Sequence, residues 1–214
     1  MLQGVEECQM LLPEAEQQET LGVRHYPQAS RRRISAQAVR DGFAALDRKD
    51  RDAAMREFNR AWRFLPQSPD SYWGAAIVCG MYSLEGKDPA EKAKMIAASL
   101  TLMKKAERYL PADPSIRADW QMDYAVSLHI AGEIAFDSDK AAAKKYFGEA
   151  EKLWLSLLPG RDLQNRRDQT VYYRSCWHLA HLYRSWGKPE LQKKYFDKLP
   201  PEFRKIPRGN TAVR

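Results

Sequence analysis
The heptapeptide Arg60-Ala-Trp-Arg-Phe-Leu-Pro66 returns 45 residues later as Lys105-Ala-Glu-Arg-Tyr-Leu-Pro111. Both read basic–Ala–x–Arg–aromatic–Leu–Pro. A second echo, Lys144-Lys-Tyr-Phe147, is repeated without change as Lys193-Lys-Tyr-Phe196. Aligned on these echoes, one helix pattern emerges: Ala54, Phe58, Ala61 and Pro66; Ser99, Met103, Ala106 and Pro111; Ala143, Phe147, Ala150 and Leu155. Steps of four and three put a small, a large and a small residue on one helical face. The small residues let a neighbouring helix approach, the large one fills the space between, and Pro ends the helix.

Outward from these segments, residues 35–199 carry helical periodicity throughout. There is no sustained apolar–polar alternation and Val and Ile are scarce, so the fold class is all-α. Pro66, Pro69, Pro89, Pro111, Pro114, Pro159, Pro189 and Pro200 punctuate the chain, with polar turns at residues 47–50 and 137–139. They divide it into four helix pairs: about 36–47 with 51–65, 70–84 with 89–110, 114–136 with 138–158, and 165–186 with 188–198. Residues 1–34 differ. They are rich in Glu and Gln over 14–19, turn-like at His25-Tyr26-Pro27 and basic at Arg31–Arg33, which reads as an N-terminal arm and linker. Residues 200–214 read as an extended, basic, Pro-containing tail.

The pattern resembles the tetratricopeptide repeat, a helix pair with Trp, Leu-Gly and Tyr in its first helix, then Ala, Phe and a closing Pro in its second. The best first helices are Leu179-Ala180 followed by Tyr183 and Gly187, and Ala38 through Gly42 to Ala45. The second helix matches in three copies and is degenerate near Leu191–Leu199. Phe58, Met103, Phe147 and Phe196 are 45, 44 and 49 residues apart, whereas the family period is about 34. The resemblance therefore implies enlarged repeats: a short right-handed α-solenoid of about four antiparallel pairs, whose concave side binds another chain.

Composition narrows the function classes. Hydrophobic residues at 44% and charged residues at 29% exclude wholesale disorder. Three Cys at wide spacings, Cys8, Cys79 and Cys176, exclude a disulfide scaffold or Cys-rich zinc module. Cys79 and Cys176 lie in apolar helical segments and read as buried thiols. The longest uncharged stretch, Ser71–Leu84, has 14 residues, short of the roughly 20 needed to cross a bilayer. The N-terminus has no basic region, and its apolar run is only Met10-Leu11-Leu12, so a cytoplasmic location is favoured. A periplasmic or secreted one stands if a signal segment has been removed.

Residues for chemistry are sparse. His178 and His181, spaced i and i+3, are the one metal-like pair, but no H-E-x-x-H motif accompanies them and they read as a helix surface. There is no Gly-rich phosphate loop and no G-x-S-x-G, so the reading is a non-enzyme with no cofactor and no metal. The resemblance directs attention to the groove instead. In the fourth pair it places Arg174, Trp177, His181 and Arg184 on one stripe; in the second, Trp73 and Ile77. Arg and Trp anchor interfaces, and paired Arg grips carboxylates. The alternative for Trp177 is packing between repeats. The expected function is a scaffold holding a peptide or helix of a partner protein, one with acidic groups, while the arm offers a route to oligomers. Nucleic acid is the alternative partner, suggested by 35 basic against 28 acidic residues, a net +7. Residues 1–34 carry four basic and five acidic side chains and residues 201–214 four and one, so this charge is spread along the chain.

Overall fold
A computed structural model describes residues 8–11 and 26–204. These residues form a single 3₁₀ turn, Gln9–Leu11, and nine helices, with no strand among them. The helices are α1 (Gln28–Asp47), α2 (Arg51–Phe64), α3 (Pro69–Glu85), α4 (Pro89–Glu107), α5 (Pro114–Ala135), α6 (Lys140–Ser156), α7 (Arg166–Ser185), α8 (Pro189–Phe196) and α9 (Pro201–Arg204). Local chemistry sets the boundaries. The side chains of Asp50, Asp88, Asp113, Asp139 and Asn165 accept backbone N–H groups at the starts of α2, α4, α5, α6 and α7. Each satisfies donors that have no partner within the helix. Pro opens α3, α4, α5 and α8, where its missing N–H costs nothing.

The all-α class and four consecutive helix pairs agree with the sequence reading. Two boundaries differ. Helix α1 starts at Gln28, so Arg31–Arg33 belong to a helix and not to a linker. The tail opens with a helical turn: the Phe203 ring lies 4.9 Å from that of Tyr173, and Arg204 Nε donates to the Leu199 carbonyl at 2.7 Å. Residues 1–7 and 12–25 of the expected arm and 205–214 of the tail lie outside the described residues. No described helix is long and apolar enough to cross a membrane.

The chain divides into two compact units, Met1–Pro111 and Ala112–Arg214. In the first, α1 pairs with α2, α3 packs on both, and α4 closes against α3. In the second, α5 pairs with α6, α7 packs on both, and α8 and α9 lie against α7.

The small–large–small positions are the centre of this packing. Ala54, Phe58 and Ala61, then Ser99, Met103 and Ala106, then Ala143, Phe147 and Ala150 are all at most 2% exposed. The large residue needs more than small neighbours on its own helix. A β-carbon at Gly42 of α1 would lie 2.7 Å from the Phe58 ring, and one at Gly74 of α3 only 2.2 Å. The ring thus fills a notch in the partner helix and another in the helix that follows. Phe147 repeats the device against Gly132 of α5, at 2.4 Å. In the second pair Met103 replaces Phe, and Ser99 Oγ donates to the Ala76 carbonyl at 2.8 Å, tying α4 to α3.

The fourth copy is out of phase with the alignment. Phe147 is buried in the first Lys-Lys-Tyr-Phe, but in the second Tyr195 is buried and Phe196 is 38% exposed. Tyr195 stacks on Tyr183 with centroids 5.6 Å apart, and this contact sets the rotation of the short α8. The three thiols, Cys8, Cys79 and Cys176, are free and buried.

Two glycine substitutions separate the notch from ordinary helix propensity. Gly74→Ala drives a methyl into the Phe58 ring and is expected to cost about 1–3 kcal/mol. Gly148→Ala in α6, where a β-carbon meets nothing within 4 Å, is expected to stabilise by up to about 1 kcal/mol. Urea unfolding of both variants checks this; equal effects contradict the notch.

Candidate functional site
Helix α7 carries the stripe Arg174, Trp177, His181 and Arg184. Its first turn is fixed by Asn165, which accepts the N–H groups of Arg167 and Asp168, and by Asp168, which accepts from Arg161 Nη1 at 3.1 Å and the Asp162 N–H at 3.2 Å. These bonds and the Arg161 charge hold the Asp168 carboxyl below the usual carboxylate range. The stripe is split by burial. Arg184 is exposed and Arg174 and His181 are half-buried, but Trp177 is 7% exposed. Its indole packs at 4.0 Å from the His181 ring and edge-on to His178 at 4.9 Å. Trp177 is thus buried, and these ring contacts are with histidines of its own helix. Trp73 and Ile77 lie on α3 in the other unit; Trp73 is 4% exposed and Ile77 half-buried.

His178 is not on a helix surface. Its ring lies flat on Trp154 at 4.9 Å with an 8° interplanar angle, and it is 5% exposed. His129 of α5 meets the same indole edge-on at 5.8 Å and Phe147 at 5.9 Å. The core of this unit is therefore an aromatic and imidazole stack, with Trp154 at its middle. Burial above all, with the Arg174 guanidinium and the neighbouring His129 and His181 rings adding to it, pushes the His178 pKa well below 6.5. Among the described residues no three His, Cys, Asp or Glu side chains are placed to hold a metal ion.

Beside Arg184 the surface opens into a shallow depression of about 310 Å³ lined by Glu133, Phe136, Asp137, Arg184 and Ser185. Ser185 Oγ donates to Glu133 Oε1 at 2.6 Å, and His129 Nε2 lies 3.2 Å from the same Oγ. A serine, a histidine and a carboxylate meet here, but not in relay order. The Ser185 proton goes to the carboxylate, and Glu133 sits 3.5 Å from the same imidazole nitrogen as the serine. A hydrolase triad places the carboxylate on the opposite nitrogen. This trio fastens the end of α7 to α5. Nothing in the spacing announced it: His129 and Glu133 are i and i+4 on α5, but Ser185 comes 52 residues later.

The helix boundaries also redistribute the charge. Residues 28–66, which hold α1 and α2, carry ten basic and five acidic side chains, whereas residues 1–27 carry one and five. Moving the arm's end from residue 34 to 27 turns a spread charge into a basic first helix pair preceded by an acidic segment. No family model, curated protein or solved structure gives a significant match to the chain.

The buried imidazole makes stability depend on pH in a definite sense. His178 stays neutral in the fold but takes a proton near pH 6.5 when unfolded. The unfolded state binds more protons below that value, so this contribution is complete above about pH 6.5 and drains as pH falls. Unfolding free energies from urea titrations between pH 7 and 5 are expected to decline by up to about 1.4 kcal/mol per pH unit more for the native chain than for His178→Phe, which keeps the stack. Parallel declines contradict the assignment.

Proposed function
We propose that the chain is a tetratricopeptide-like repeat protein with enlarged repeats, a short right-handed α-solenoid that recruits another protein by binding one of its peptides or helices. The observation that carries this reading is the recurrence of one helix pair, with a buried large residue of the second helix seated against glycine notches of first helices. Such pairs cannot bury their apolar face alone; they stack and leave an extended surface for a partner. On α7 that surface is Arg184 with the half-buried Arg174 and His181, while Trp177 braces it from beneath. Glu133 and Asp137 share the depression with Arg184, so the contact is mixed in sign, suited to a segment that pairs a carboxylate with a cation.

A second reading is favoured by one observation, the ten-to-five basic excess of residues 28–66. Phosphate contacts by these side chains would make the chain a nucleic-acid-binding repeat protein.

Affinity purification from the native host, followed by measurement of the recovered partner against purified protein, separates the two. Under the scaffold reading, Arg174→Ala with Arg184→Ala weakens the partner about tenfold or more with unchanged thermal midpoint. Unchanged affinity removes α7 as the contact. Under the second reading, a mobility shift at low salt is lost steeply between 50 and 200 mM salt, on the order of 10³-fold for several phosphate contacts.

A further inference from the structure
We propose that the slot between α2 and α4 binds an acidic segment of a partner protein carrying two apolar side chains two residues apart, and that the chain's own Cys8–Leu11 occupies it in the partner's absence. This goes beyond the scaffold reading, since it assigns a separate surface on the first unit with its own occupant. Helices α2 and α4 are the second helices of consecutive pairs, and the Gln9–Leu11 turn rests on both. Cys8 is 1% exposed and Met10 0%, so the segment buries two side chains from a tight turn closed by the Leu11 N–H to Cys8 carbonyl bond at 2.9 Å. Lys105 Nζ donates to the Met10 carbonyl at 2.6 Å. That contact reads main chain, so it accepts a different segment as readily.

The walls are aromatic. Trp62 Nε1 donates to the Tyr72 hydroxyl at 2.9 Å, and the Tyr72 ring stacks at 6.0 Å on Tyr109, itself 40% exposed. Positive charge lies beside them: Lys105 reaches the seated turn itself, and Arg108, at the end of α4, acts on Tyr72. The seated turn comes from a stretch of opposite sign. Residues 1–27 include Glu6, Glu7, Glu14, Glu16 and Glu19 against Arg24 alone. Charge complementarity therefore defines the occupant as acidic, and the buried Cys8 and Met10 define its apolar contacts. Fourteen residues join Leu11 to Tyr26, whose ring lies 5.6 Å from that of Phe64 on α2. A tether of this length gives the internal segment an effective concentration on the order of millimolar, which a partner making additional contacts can exceed.

Cys8 reports the exchange in the intact chain. Burial pushes its thiol up to about 11, so it is inert while seated and becomes alkylable on release. Full-length protein is treated with iodoacetamide, and the labelled cysteine is identified by peptide mapping. The competitor is a synthetic peptide of residues 1–20 carrying Cys8→Ser. The expected result is a saturable rise of about tenfold in Cys8 labelling, with Cys79 and Cys176 still protected. A peptide that also carries Met10→Asp should raise the half-effective concentration about tenfold or more, because the internal segment it must displace is unchanged. As a second variant, Met10→Asp in the full chain should bind the fluorescent peptide about tenfold tighter than the native chain does. The proposal is overturned by no rise at millimolar peptide, by equal effect of a scrambled peptide or a single-stranded oligonucleotide, or by equal peptide affinity of Met10→Asp and native chain. Labelling that increases on dilution without peptide would also overturn it, because the segment would then sit on a second copy.

Discussion

The ring of Phe58 occupies the space where β-carbons of Gly42 and Gly74 would stand. Two helices from different pairs thus close on a single side chain of a third, and α1, α2 and α3 have little freedom to shift along one another. Phe147 imposes the same constraint on α6 and α5 through Gly132, with Trp186 at 5.6 Å on its other side. Interiors packed to crystal-like density do not absorb such a fit gradually. The rest of each unit is arranged around it: caps end the helices, and hydrogen bonds such as Tyr183 to Glu151 at 2.5 Å fasten their outer edges.

How much of this was legible depended on whether the signal was local. The four pairs were readable because Asp or Asn caps and opening prolines sit within a residue or two of each boundary they set. The start of α1 was not, because Pro27 provides no side-chain cap and a run of three Arg looks like a linker. The phase of α8 failed for a different reason. An identical tetrapeptide suggested an identical role, but Tyr183 selects Tyr195 for the core and leaves Phe196 outside. Repetition of sequence is weaker evidence than a tertiary contact in an eight-residue helix.

The proposed binding surfaces were the least legible part. Positions 174, 177, 181 and 184 do share one side of α7, as the three–four–three spacing requires. Which of them meet solvent is decided by Trp154 and His178, partners no local pattern reveals. Likewise, Cys8 and Met10 lie in an acidic stretch with no helical period, yet both are buried. The charge had been visible from the outset as +7. Its division into an acidic lead segment and a basic first pair emerged once α1 was seen to begin at Gln28. A net charge constrains partners only after the elements that carry it are placed.

The notch account stands or falls on the coupling between Phe58 and Gly74. A double-mutant cycle with Gly74→Ala and Phe58→Leu, followed by urea unfolding, measures it directly. Leucine vacates the ring positions nearest the new methyl, so the account predicts that the double variant is less damaged than the sum of the singles by about 1 kcal/mol or more. Losses that add within about 0.5 kcal/mol would contradict it.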